Sequence, residues 1–256
     1  MNTIEPEQPQ YESNIGPQTF LLVLLAISLG TLAAAVVLPT WMPHLADSLV
    51  GTDPKAFWYL SRGSAFVSMS LLWISMALGL GITNKIARVW PGTPAAFAIH
   101  EYVSLLGLAF AIFHALILLG DHYINFTLAQ VLVPFAATSY RPFMTGMGQA
   151  GFYVWLLVAL SFYVRKQIGP KTWRAIHYIS FICYCGALYH GIASGTDTQL
   201  PWAQAYYWIS GAGLLFLMIH RITVSVTARF SKAAPRPLPT TITNPRGNLP
   251  ADSKSI

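Results

Sequence analysis

Six apolar runs, each close to the length of a membrane crossing, constrain this chain more than any other feature. They cover approximately residues 18 to 38, 57 to 81, 95 to 119, 149 to 165, 174 to 193 and 204 to 221. A helix rises 1.5 Å per residue, so about twenty residues cross a hydrocarbon core roughly 30 Å thick. Runs of this length read as helices, which satisfy their own backbone where no water is present. Charge is correspondingly scarce: 9% of the 256 residues are charged and 54% are hydrophobic, against a charged share of about 25% in soluble domains. The expected fold is an all-α membrane protein, a bundle of six transmembrane helices.

Sidedness follows from Lys and Arg, which favour the cytoplasmic side in short loops. Twelve of the fifteen basic residues fall on one side: Lys85, Arg88, Arg165, Lys166, Lys171, Arg174, Arg221, Arg229, Lys232, Arg236, Arg246 and Lys254. The other side keeps Lys55, Arg62 and Arg141. Both termini are therefore expected in the cytoplasm, with the chain in a plasma or inner membrane. The net charge of +6 reads as this sidedness plus contact with anionic lipid. Strung along loops beside spans, the cations make no nucleic-acid footprint. Residues 1 to 17 hold Glu5, Glu7 and Glu12 and no cation, so they read as a disordered cytoplasmic tail before a retained span, not a cleaved signal. Residues 18 to 56 are the first span and its outer loop. Residues 222 to 256, with Pro235, Pro237, Pro239, Pro245 and Pro250, read as a disordered cytoplasmic tail.

Four histidines lie at nearly matching spacing in two of the spans: His100 and His114 are 14 residues apart, His177 and His190 are 13 apart. Each pair extends about 20 Å along its helix. Both spans run outward, so His100 and His177 belong to a cytoplasmic level and His114 and His190 to an outer one. A histidine in hydrocarbon is costly and functional by default, and neutral imidazole is a common metal ligand. An iron with two axial imidazoles needs donors from opposite faces, which two facing helices supply. The pattern suggests two stacked haems. Fourteen residues bring His114 within about 40° of His100, whereas thirteen leave His190 about 140° from His177 on an ideal helix. An irregular first turn after Gly169 and Pro170, or distortion at Gly186, would reconcile the second pair. No CxxCH is present, so haem would be held by coordination and packing alone. Cys183 and Cys185, two apart on a helix, read as small apolar residues without a disulfide. His44, His122 and His220 read as interfacial.

In these histidines and in the strings SRGSAF (61 to 66), HEYVSLLGLAFAIFH (100 to 114), SYRP (139 to 142), GPKTWRAIHY (169 to 178) and YHGIASGTDT (189 to 198), the chain resembles the ferric-reductase-like transmembrane domain. That family forms the haem-bearing membrane core of NADPH oxidases and ferric reductases, and the resemblance covers residues 57 to 221. It implies a six-helix bundle with two b-type haems, His100 paired with His177 and His114 with His190. A looser similarity, around Arg141 and His177, is to the membrane subunit of the bacterial methionine sulfoxide reductase system. That second likeness implies a single haem and an electron-donor role, distinguished by haem stoichiometry.

The family usually continues into a cytoplasmic flavin and nicotinamide domain, for which the 35 residues after the sixth span leave no room. The expected protein is thus an oxidoreductase subunit that takes electrons from a separate reductase or a quinol. A bound FMN or FAD is a further candidate carrier, with no flavin signature in the sequence. The acceptor would be an outer-side protein or a ferric chelate. Haem propionates need cations, and Arg62 and Arg141 are candidates at the outer level, Lys171 and Arg174 at the inner. Asp197 is a candidate for proton or metal handling. Trp58, Tyr59, Trp90, Trp173, Trp202, Tyr206, Tyr207 and Trp208 read as interfacial anchors. Gly79, Gly81, Gly107, Gly186, Gly191 and Gly211 suit close helix approach. A non-redox transporter of metal or protons would need acidic partners near the midplane, and Glu101, near a span end, is the only acid within a span.

Overall fold

The computed structural model describes residues 13, 15 to 42, 56 to 84, 86, 89 and 91 to 233, with side chains described as far as 227. The expected N-terminal tail before Ser13, the loop with His44 and Lys55, the positions Lys85, Arg88 and Trp90, and the Pro-rich segment from Ala234 lie outside the described residues. Every regular element among the described residues is helical. α1 is Pro17–Trp41, α2 Ala56–Thr83, and α3 Thr93–Ile117, continued by a 3₁₀ turn Leu118–Gly120. Then come α4 Leu128–Leu132, α5 Pro142–Tyr163, α6 Arg165–Ile168, α7 Pro170–Tyr178, α8 Ser180–Ser194 and α9 Pro201–Ala233. Five stretches are long and apolar enough to cross a bilayer: Pro17–Trp41, Ala56–Thr83, Thr93–Gly120, Pro142–Tyr163 and Pro201–Thr227. The chain is a multi-pass membrane protein.

Helix starts follow proline more closely than hydropathy does. A proline opens α1, α3, α5 and α7 at the first or second position, where its fixed φ suits the helix and its missing N–H costs nothing. Hence α5 begins at Pro142, ahead of the apolar run expected from 149, because Thr145, Gly146, Gly148 and Gln149 dilute the hydropathy of its first turns.

The run from 174 to 193 departs from expectation. It is not one helix but two, nine residues of α7 and fifteen of α8, separated at Ile179. The Ile179 N–H bonds back to Ile176 O at 3.0 Å, three residues away, a locally tightened turn. Gly186 lies inside the uninterrupted α8, so the distortion is neither there nor in the first turn after Pro170. α9 also runs on to Ala233, so the tail expected to be disordered from 222 begins as helix.

Small residues set the packing. α2 buries Ser61, Ser64, Ser68 and Ser75, which lets it approach α3 closely. Ser68 Oγ donates to Gly107 O at 2.9 Å. A Cβ on Gly107 would fall 2.9 Å from the Trp155 ring, so glycine there is what admits Trp155. The central core gathers Leu72, Met76, Leu108, Trp155, Tyr184 and Leu214. α9 is bound to α2 through Trp73 Nε1 donating to Ser210 O at 2.9 Å and the Ser70–Tyr206 hydroxyl pair at 3.0 Å.

Candidate metal centre

Three helices hold the four histidines against one another. α3 carries His100 and His114; α7 presents His177 to the first and α8 presents His190 to the second. The ring centroids of His100 and His177 are 6.1 Å apart at an interplanar angle of 72°. Those of His114 and His190 are 6.5 Å apart at 74°. His177 and His190 lie on either side of the tightened turn at Ile179. All four rings are partly buried.

Hydrogen bonds define which nitrogen each ring offers. His114 Nδ1 lies 2.8 Å from Ser61 O, His100 Nδ1 2.9 Å from Ser75 O, and His190 Nδ1 2.8 Å from Met144 O. A carbonyl only accepts, so each Nδ1 bears the proton and donates it, leaving the Nε2 lone pair for a ligand-binding role. His177 is steadied differently, by the Trp173 ring at 5.4 Å. His190 also lies directly over Gly148, where a Cβ would meet its Cε1 at 2.5 Å.

The donor set fits one kind of occupant. Two imidazoles bound on opposite sides of a metal at about 2 Å each have centroids roughly 6 Å apart, close to both observed separations. Among the described residues no group of three or more His, Cys, Asp or Glu side chains is placed to hold a metal ion. A group that brings its own equatorial donors, as haem does, would need only two such imidazoles from the protein. Beside the His114 pair lies a cavity of about 450 Å³ whose walls include His114, His190, Gly148, Phe152, Trp155 and Ala187. That volume falls within the range of small-molecule and cofactor sites, about 300–1,000 Å³.

The cations expected to meet propionates are mostly engaged elsewhere. Arg62 forms a two-pronged ion pair with Asp197, its Nε donating to Oδ2 at 2.9 Å and its Nη2 to Oδ1. Asp197 is thus a buried counter-ion and not a free solvent-side acid. Both residues line the cavity. Arg141, in a left-handed conformation at the start of α5, donates to Ala193 O and lies over the Tyr140 ring at 5.6 Å. Lys171 and Arg174 stand exposed on α7.

Several expected anchors are internal instead. Trp58 is buried and packs edge-on against Tyr140 at 5.2 Å. Tyr207 lines the cavity and touches Gly191. Tyr59 and Trp202 are exposed in the first turn of their helices, as interfacial anchors are, and Trp208 is exposed two turns into α9. A Cβ on Gly79 would lie 3.4 Å from His100 Cε1 and one on Gly211 3.4 Å from Leu188, whereas Gly81 and Gly186 face open space. Cys183 is buried, Cys185 is exposed and both are free. Glu101 accepts from Ser13 Oγ at 2.5 Å and from the Tyr163 hydroxyl at 3.0 Å. The residues that sequence reasoning missed are Ser61, Ser75, Gly148 and the Met144 carbonyl. The serine pair alone carried a signal, its spacing of 14 equalling that of His100 and His114.

Comparison with protein-family models, with characterised proteins and with solved structures gives no match of any of the three kinds.

Proposed function

We propose that this chain is a b-type cytochrome of the ferric-reductase-like kind, carrying electrons across a membrane through two haems, one at each histidine level. The observation that carries the reading is the facing of His100 with His177 and of His114 with His190 at 6.1 and 6.5 Å. Bound haem would supply one-electron redox chemistry at each level. The rest is the work of the chain's own groups. Backbone carbonyls on α2 and α5 hold three imidazoles with Nε2 free. Gly148 leaves room for the His190 ring. The apolar residues around Trp155 keep water from the interval between the levels, and a low-dielectric shell of this kind tunes a redox centre.

The reading includes six crossings, with the broken pair α7–α8 as the fifth in chain order and both termini cytoplasmic. Electrons would enter from a separate reductase or a quinol and leave to an outer-side acceptor. The exposed cations of α6 and α7 are the docking face for an acidic donor protein, through charge complementarity.

The test is a reduced-minus-oxidised optical spectrum of purified protein, with haem quantified per chain. Wild type is expected to show a low-spin b-type spectrum at two haems per chain, and His114→Ala to lose one of them. One haem in wild type, retained in His100→Ala, would replace this reading with a single-haem electron donor. Absence of haem after expression with ample haem supply would overturn both.

A further inference from the structure

The connection between α3 and α5 is unlike a loop in water. From His122 to Tyr140 it runs nineteen residues without a Lys, Arg, Asp or Glu. Its short helix α4 is pinned by two side chains that stand one turn apart on α5. Gln149 Nε2 donates to Gln130 O at 2.6 Å and to Val131 O at 2.8 Å, while Gln149 Oε1 accepts from the Phe135 N–H at 3.2 Å. The Tyr153 hydroxyl donates to Leu132 O at 2.5 Å.

These contacts lie deep along the span. Gln149 and Tyr153 are seven and eleven residues into α5, about 10 and 16 Å below its first residue in a helix about 33 Å long. α4 therefore lies beside the span and not above it. Three successive carbonyls at the end of α4 are groups a helix end leaves without partners, and span side chains satisfy them. At the other end Thr127 and Gln130 form a reciprocal capping box, which satisfies the N–H groups of those two residues. Backbone of this kind is tolerated at membrane depth only when it is satisfied internally.

The two faces of the segment differ in their surroundings. Ile124, Phe126 and Val131 pack inward on Trp58, Ile112 and Leu116, close to His114. Outward, Leu128, Leu132, Val133 and Phe135 are exposed, and so are Tyr153 and Leu157 of α5. Phe135 holds a left-handed φ of 65° with its ring against Gly146, which turns the chain back toward α5.

We propose that residues 122 to 140 form a re-entrant segment within the bilayer, in the leaflet at the His114 level. Leu128, Leu132, Val133 and Phe135 lie against lipid acyl chains, and the segment closes that flank of the cavity.

The test is spin-label depth, independent of haem. Single cysteines replace Leu132 or Val133 in a Cys183→Ala, Cys185→Ser background, in vesicles of phosphatidylcholine and phosphatidylglycerol. Collision rates with oxygen and with a water-soluble nickel chelate are compared with labels at Leu157, for lipid, and at the exposed Gln167, for water. Labels at 132 and 133 are expected to follow Leu157, with oxygen dominant. Behaviour like Gln167 would place the segment in water and overturn the proposal; access to neither reagent would mean that protein, such as a second copy, covers it, which overturns it equally. Unmodified protein gives an independent check with a photoreactive probe tethered to acyl chains. Adducts are expected within 128 to 135, and their restriction to the long helices would overturn the proposal.

Discussion

Ser61, Ser68 and Ser75 recur every seven residues on α2, against His114, Gly107 and His100 at the same interval on α3. The outer two rungs serve histidines and the middle one does not. Ser61 Oγ donates to His114 O at 2.9 Å and lies 2.9 Å from His114 Nδ1. Ser75 Oγ lies 3.2 Å from His100 Nδ1 and 2.6 Å from Ser104 Oγ, which donates to His100 O at 2.6 Å. The second arrangement is the first with one hydroxyl inserted. An acceptor at Nδ1 makes imidazole a stronger donor at Nε2 and favours the more highly charged metal state. Ser61→Ala and Ser75→Ala are therefore expected to raise the reduction potential of their own centre, by up to about 59 mV, a tenfold change for one electron. Ser68→Ala, with the same loss of a helix-to-helix bond, is expected to leave both potentials in place. A potentiometric titration of the three variants decides; equal shifts in all three would reduce the serines to packing.

At the scale of elements, two irregular segments do what straight helices would not. A tightened turn at Ile179 falls between His177 and His190, which an ideal helix would set about 140° apart. The α4 segment depends on α5 for its polar groups. Gln149→Leu keeps the volume but leaves Gln130 O, Val131 O and the Phe135 N–H without their partner. Unsatisfied buried groups cost about 1–3 kcal/mol each, so the variant is expected to lose at least that much stability, read as a lower midpoint of thermal unfolding in detergent. Gln149→Glu, which keeps the acceptor for Phe135 and loses the two donated bonds, is expected to fall in the same direction. An unchanged midpoint in both would show that the bonds contribute nothing to holding α4.

For the whole molecule, the count of crossings decides on which side of the membrane each terminus lies. Five unbroken stretches meet the length and apolarity of a span, and α7 with α8 makes the sixth in the proposed topology. Six crossings place epitope tags at the two ends on the same side, so protease is expected to remove both from inverted vesicles and neither from right-side-out ones; removal of one tag in each preparation would mean five crossings. The membrane class, the approximate spans and the four histidines were legible in the sequence, because apolar run length and residue identity are local properties. The partnership of Arg62 with Asp197, 135 residues apart, was not, since nothing in either neighbourhood encodes the other. Nor was the burial of Trp58, whose position at a span end resembles that of an anchor. By itself the sequence determined that this chain is rich in apolar helices of membrane-spanning length and that its four histidines come in two pairs of nearly equal spacing. Only the tertiary structure decided that the rings meet, because the meeting depends on backbone carbonyls of α2 and α5 and on the absent side chain of Gly148, each of which acts through packing between distant segments.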